Sequence, residues 1–202
     1  GSSGHPGSPH FADQTPRWGR VELIPATYSW DKVEAEAESA QSLVPASSGP
    51  GAEVRTYEGS HQQYGVVIDH DVMVAMRDGT RLATDIYYPA LSGQRVDDQF
   101  PVILERTPYN KYTAREVTKA KYFARRGYVC AIQDVRGRFQ SEGDWHPFAR
   151  EAPDGYDTVE WLGTQKWSDG NVGTMGGSYA GSDQSALATL NPPHLTTMIV
   201  AV

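Results

Sequence analysis

An α/β fold with a largely parallel sheet is predicted by two features of this 202-residue sequence. Beyond Pro89, short apolar runs rich in Val, Ile and Tyr alternate with longer stretches of helical period, and Gly, Pro or Asn marks the changeovers. Strands separated by helices cannot join as hairpins, so they pair in parallel and the helices cover both faces of the sheet. Just before this region, two alternating runs flank an Asp-Gly turn and predict one antiparallel hairpin.

The first 60 residues stand apart. The opening twenty hold four Gly, three Ser and three Pro, begin without Met and show neither a basic start nor the apolar stretch of a signal peptide. They read as a flexible lead-in. Trp30 to Leu43 places Val33, Ala35, Ala37, Ala40 and Leu43 among several acids, a weak helix that Pro45 and the following SSGPG terminate. Its acids read as a solvated face. Residues 1–60 are thus expected to be a flexible or weakly structured extension.

From Tyr64 the texture changes. Val66, Val67, Ile68, Val72 and Val74 lead into Arg77-Asp78-Gly79-Thr80, and Leu82, Thr84, Ile86 and Tyr88 follow as the second hairpin strand. Phe100 to Leu104 is a strand, Ala114 to Arg126 a helix ended by Gly127, Tyr128 to Val135 a strand, and Pro153 to Gln165 a helix starting at its proline. Asn171 to Met175 reads as a short strand, and Tyr179 to Leu190 as a helix stopped by Asn191-Pro192-Pro193. The final strand, Leu195 to Val202, runs to the last residue without turn or polar tail, so further polypeptide is expected to follow it.

Composition narrows the function. The net charge is −7 and Lys and Arg never run beyond a pair, which argues against a nucleic-acid or anionic-membrane partner. No apolar run approaches a spanning length, so a soluble protein is expected. Cys130 is the one cysteine and there is no CxxC or HExxH spacing, so neither an intrachain disulfide nor a zinc site is expected. It sits in the apolar run Tyr128 to Ile132 and reads as a small buried hydrophobe; a single cysteine suits a cytoplasmic setting better than a secreted one.

The chemistry concentrates in Gly176-Gly177-Ser178-Tyr179-Ala180-Gly181, between a predicted strand and a predicted helix. A nucleophile elbow places its Ser on a strained turn there, with small residues two positions to either side. Gly176 and Ala180 fill those places, although the strict G-x-S-x-G pattern wants the second glycine at 180 and this chain has it at 181. A glycine-rich turn with an incidental Ser would share the composition; the strand-turn-helix setting favours the elbow.

Four blocks in matching order, VMVAMRDGTRLATDIYYPA (Val72 to Ala90), RTPYNK (Arg106 to Lys111), IQDVRGRFQSEG (Ile132 to Gly143) and WSDGNVGTMGGSYAG (Trp167 to Gly181), resemble the α/β-hydrolase family of cocaine esterase and X-Pro dipeptidyl-peptidase. Glutaryl-cephalosporin acylases and α-amino acid ester hydrolases belong to the same family. The resemblance implies the α/β-hydrolase fold, with residues 61–202 as the N-terminal part of its catalytic domain. It also implies hydrolysis of a small-molecule ester or amide without metal or organic cofactor. Ser178 corresponds to the nucleophile, the Tyr179 backbone N–H to one half of the oxyanion hole, and the Tyr109 hydroxyl to the other half. Ester or activated-amide substrates are preferred over X-Pro dipeptides.

A serine needs a base and an orienting acid, which in this fold follow the nucleophile in the chain. After Ser178 only Asp183 and His194 can be tested. Asp183 lies about 140° round the same helix, and His194 follows about twelve helical residues, roughly 18 Å away. His5, His10, His61, His70 and His146 precede the serine. The acid and histidine are therefore expected beyond Val202, on the remainder of the same polypeptide or a companion chain, and the resemblance implies a helical cap and a β-rich C-terminal domain there as well. Asp134 and Arg136 are read as fixing their loop, Trp167, Asp169 and Gly170 as the turn before the nucleophile strand, and His146 as a solvent-exposed side chain. The rival reading is a catalytically silent α/β module binding through the same cleft.

Overall fold

The computed structural model describes residues 60–201; the lead-in and the helix expected over residues 30–43 lie outside the described residues. In chain order the elements are β1 (Gly65–Ala75), β2 (Arg81–Leu91), β3 (Gln94–Arg95), β4 (Phe100–Thr107), α1 (Ala114–Ala124), β5 (Val129–Asp134), α2 (Glu151–Gly163), β6 (Ser168–Gly177), α3 (Tyr179–Ala188) and β7 (Leu195–Ala201). The strands form one sheet in the order β1-β2-β5-β4-β6-β7, with the two-residue β3 beside β2. β5, β4, β6 and β7 run parallel, whereas β2 pairs antiparallel with both β1 and β5.

The hairpin forms at the predicted turn. The Met76 N–H donates to the Thr80 carbonyl at 2.8 Å, the Gly79 N–H to the Met76 carbonyl at 2.8 Å, and Gly79 takes the left-handed φ of 85° that the turn requires. Thr113 caps α1 by accepting the Glu116 N–H, the first half of a Thr-x-x-Glu capping box. The second helix begins at Glu151, two residues before the expected Pro153. First-turn N–H groups have no intrahelical acceptor, so a proline is accommodated there without loss. β6 extends from Ser168 to Gly177, well beyond the expected Asn171 to Met175. Its glycines lack the side chains on which strand propensity rests, yet pairing with both β4 and β7 holds them extended.

The continuous apolar run of β5 is explained by burial on both faces. Val129 and Ala131 pack with Ile86, Leu104, Val159, Leu162 and Leu187 beneath α2 and α3, and Cys130 and Ile132 pack with Tyr87, Ala120 and Ala124 beneath α1. Burial also pushes the Cys130 thiol up, which keeps it protonated. Trp167 lies in the turn directly before β6, as expected, and its side chain serves the core as well. Its ring lies edge-on to Tyr88 at 5.5 Å within the core, while its carbonyl accepts the Phe100 N–H at 3.0 Å.

One core position buries a whole carboxyl without a hydrogen bond among the described residues. Asp183 on α3 is 1% exposed, and among the described residues neither carboxylate oxygen has a hydrogen-bonding partner. Burial holds its carboxyl well above the ordinary 3.8, with the Arg106 guanidinium opposing and Glu151 reinforcing the shift. A raised native pKa contributes stability that is present below the ordinary carboxylate range and lost as pH rises through the raised value. Asp183→Asn, which cannot ionise, should therefore melt roughly 2–4 °C or more above the parent at pH 8, and the gain should vanish near pH 4. Thermal unfolding at the two pH values tests this, and an equal shift at both would show that ionisation is not the cause.

Candidate active site

Ser178 stands between the end of β6 and the start of α3 with φ 56° and ψ −120°, a conformation that strains any residue bearing a Cβ. It is solvent-exposed. Hydrogen bonds hold it there: its N–H donates to the Ala201 carbonyl of β7 at 3.1 Å, and its carbonyl accepts the N–H groups of Gly181 and Ser182 at 3.0 Å each.

The flanking small residues have distinct steric reasons. A Cβ at Gly176 would lie 2.6 Å from the Ala180 methyl and 2.9 Å from its carbonyl oxygen, so Ala180 occupies room that Gly176 leaves. A Cβ at Gly181 would lie 2.6 Å from the Ala201 carbonyl oxygen, the same atom that receives the Ser178 N–H. The displacement of the second glycine to 181 thus follows from where α3 presses on β7. Gln184 secures this junction, donating to the Ala180 carbonyl at 2.7 Å and accepting from the Thr174 hydroxyl at 2.9 Å.

Tyr179 is the first residue of α3, and among the described residues no acceptor takes its backbone N–H, as is usual for the first turn of a helix. Its side chain turns inward. The hydroxyl donates to Glu151 Oε1 at 2.7 Å and accepts the Phe148 N–H at 3.0 Å, and the two rings stack with centroids 4.3 Å apart. Burial pushes the phenol up to about 12. Glu151 in turn pairs with the buried Arg106 at 2.7 Å, and Arg106 donates to Gln133 Oε1 at 2.9 Å.

Tyr109 lies in the loop after β4 and is 57% exposed. Register explains its place. Leu104 aligns with Thr174 across β4 and β6, which puts Thr107 level with Gly177, so Tyr109 and Ser178 leave the same edge on neighbouring strands about 4.8 Å apart. The Tyr109 N–H donates to Thr107 Oγ1 at 3.0 Å, bending the chain back over that edge.

The other sequence candidates contact the protein's own loops. Asp134 accepts the Lys111 N–H at 2.9 Å, while its carbonyl accepts the Ser141 hydroxyl at 2.6 Å. Arg136 forks onto Asp154 at 2.8 and 2.6 Å and reaches Thr80 at 2.6 Å. Asp169 and Gly170, expected in the turn before the nucleophile strand, lie instead within the first residues of β6, where Asp169 accepts the Asn171 N–H at 2.9 Å and Gly170 takes φ 88°. His146 is exposed, His70 contacts Asp85 at 2.6 Å, and His194 contacts Glu160 at 2.9 Å. Among the described residues no histidine or carboxylate hydrogen-bonds Ser178 Oγ, and no cluster of His, Cys, Asp and Glu suited to a metal is found. His5 and His10 lie outside the described residues. Glu151, Phe148 and Gln184 escaped the sequence reading.

A mostly parallel sheet with a strained serine between strand and helix marks the α/β-hydrolase fold, and solved structures agree. A CocE/NonD family hydrolase from Staphylococcus aureus superposes with a TM-score of 0.58 at 32% identity, covering 66% of this chain and 27% of that one. An α-amino acid ester hydrolase gives 0.55 at 28% identity, covering 75% and 28%. The chain belongs to the X-Pro dipeptidyl-peptidase (S15) family, whose sequence model matches residues 78–202. Cocaine esterase of Rhodococcus sp. (strain MB1 Bresler) is 44% identical over 118 residues, 56% of this chain and 20% of the esterase, so the match spans about a fifth of that relative. Residues 1–35 match a different family, penicillin amidase. No helix among the described residues is long and apolar enough to cross a membrane.

The strain at Ser178 is measurable. Ser178→Gly should be more stable than Ser178→Ala by about 1 kcal/mol or more, because only glycine relaxes at this φ. Denaturant unfolding of the two variants checks it, since at an unstrained position alanine would equal or surpass glycine. Gly176→Ala should cost about 1–3 kcal/mol through collision with Ala180, read from the same transition.

Proposed function

We propose that the protein is a serine hydrolase cleaving ester or amide acyl bonds through an acyl-enzyme on Ser178. The observation that carries this reading is the exposed Ser178 side chain on a strained turn at the carboxyl edge of β6. Ser178 Oγ attacks the carbonyl carbon and passes its proton to a histidine, which returns it to the departing alcohol or amine. Water then attacks the acyl-enzyme by the same route and frees the acid and the serine. The negative charge on the carbonyl oxygen is held by the Tyr179 N–H and the Tyr109 hydroxyl. The histidine and its acid come from outside residues 1–202, on a further segment of polypeptide or a companion chain. Ester or activated-amide substrates are favoured over X-Pro dipeptides, a preference supported by the resemblance to an esterase and an ester hydrolase.

Fluorophosphonate labelling of the protein as isolated, followed by denaturing mass analysis of every polypeptide present, tests the reading. Phosphonylated Ser178 is expected, accompanied by a chain or segment that carries the base. An unlabelled serine in a preparation containing that segment would favour a catalytically silent binding module. In the active protein, Ser178→Ala should lower kcat by roughly 10⁴ to 10⁶. Tyr109→Phe, which keeps the ring and loses the donor, should lower it by about 10² to 10³, and full activity in that variant would remove Tyr109 from the mechanism.

A further inference from the structure

The loop that presents Tyr109 is held by an unusual internal anchor. Lys111, two residues further on, is 0% exposed although it lies outside every helix and strand. Its ammonium sits 2.7 Å from Asp71 Oδ1, 3.1 Å from Asp85 Oδ1 and 4.0 Å from Asp134 Oδ2, against the Tyr112 ring at 3.4 Å. Asp71, Asp85 and Asp134 come from the β1 bulge, the middle of β2 and the end of β5, so one side chain ties the loop to three strands. His70 lies 2.6 Å from Asp85 Oδ2, on the far side of that carboxylate from Lys111.

The partner strand is shaped to meet this lysine. Asp69 pairs with Ile86 and Val72 with Thr84, so β1 carries one extra residue there, and Asp71 takes the left-handed φ of 53°. That bulge lets the Asp71 N–H donate to Asp85 Oδ1 at 3.1 Å while its carboxylate receives both Lys111 and the Tyr112 hydroxyl, the latter at 2.8 Å. The loop backbone is tied twice more. The Lys111 N–H donates to Asp134 Oδ1 at 2.9 Å, and the Arg138 guanidinium donates to the Pro108 carbonyl at 3.1 Å. Burying a cation among carboxylates is a poor way to gain stability, since well-packed apolar groups often do as well. Such a socket does fix the position of whatever chain enters it.

We propose that Lys111 is a positioning residue for Tyr109, its buried ammonium fixing the loop so that the Tyr109 hydroxyl meets the oxyanion formed at Ser178. The inference rests on Tyr109 being the second oxyanion donor, so its test keeps the two ideas apart. In the active protein, Lys111→Met, Tyr109→Phe and the double variant are assayed for kcat and KM. Lys111→Met should lower kcat by about 10² to 10³, as loss of the donor does, with KM within about threefold of the parent. In the Tyr109→Phe background the same change should cost no more than about threefold, because the group it positions is gone.

Asp71→Asn, at the partly exposed end of the socket, supplies a milder variant should Lys111→Met fail to show a cooperative melt. It should lower kcat by about tenfold in the parent and leave the Tyr109→Phe protein unchanged. Losses that multiply in the double variants would overturn the inference while leaving Tyr109 in place. Full activity of Tyr109→Phe alone would overturn both.

Discussion

A serine with φ 56° persists only where the chain on either side of it is fixed, and here that fixing is a matter of contact distance. The start of α3 lies so close to β6 and β7 that a single added carbon at Gly176 or Gly181 would sit 2.6 Å from its neighbour. Neither segment can relax toward the other. The turn between them absorbs the mismatch, and the residue it displaces from both strand and helix is Ser178. Its exposure, the unaccepted Tyr179 N–H and the inward course of the Tyr179 ring all descend from that one close approach.

Beneath the site edge the protein buries charge in two separate sockets. Arg106 and Glu151 support the Tyr179 hydroxyl from below, and Lys111 with Asp71 and Asp85 supports the loop of Tyr109 from the other side of the sheet. Breaking either pair would leave an uncompensated buried ion, which is strongly destabilising, whereas the intact pairs add little stability of their own. Their visible effect is geometric: each joins a loop or helix start to residues far away in the chain.

Much of this fold was legible in the sequence because strand and helix period are local properties. The two-sided burial of β5 was announced by its unbroken apolar run, and the hairpin by Asp78-Gly79. Pro153 misled by two residues, since a proline is tolerated anywhere in a first turn, and the turn at Trp167 was legible whereas its burial was not, because a sequence cannot show which face of a turn meets the core. Within the site, Ser178, Tyr179 and the small residues around them form one contiguous motif and could be named. Glu151 meets Tyr179 across 28 residues and Lys111 meets Asp71 across 40, and no periodicity connects positions so far apart. Lys111 stood inside a recognisable block, yet only its burial reveals what the block does with it.

The hydrogen bond from Ser178 to Ala201 has a consequence in time as well as in space. β7 is the last strand of the described sheet to be synthesised, and its carbonyl supplies a tie that holds the elbow bent. On the ribosome, a chain that has emerged only as far as α3 carries the whole motif but lacks the clasp that strains it. The strained geometry therefore waits on the arrival of β7, the strand that supplies this carbonyl.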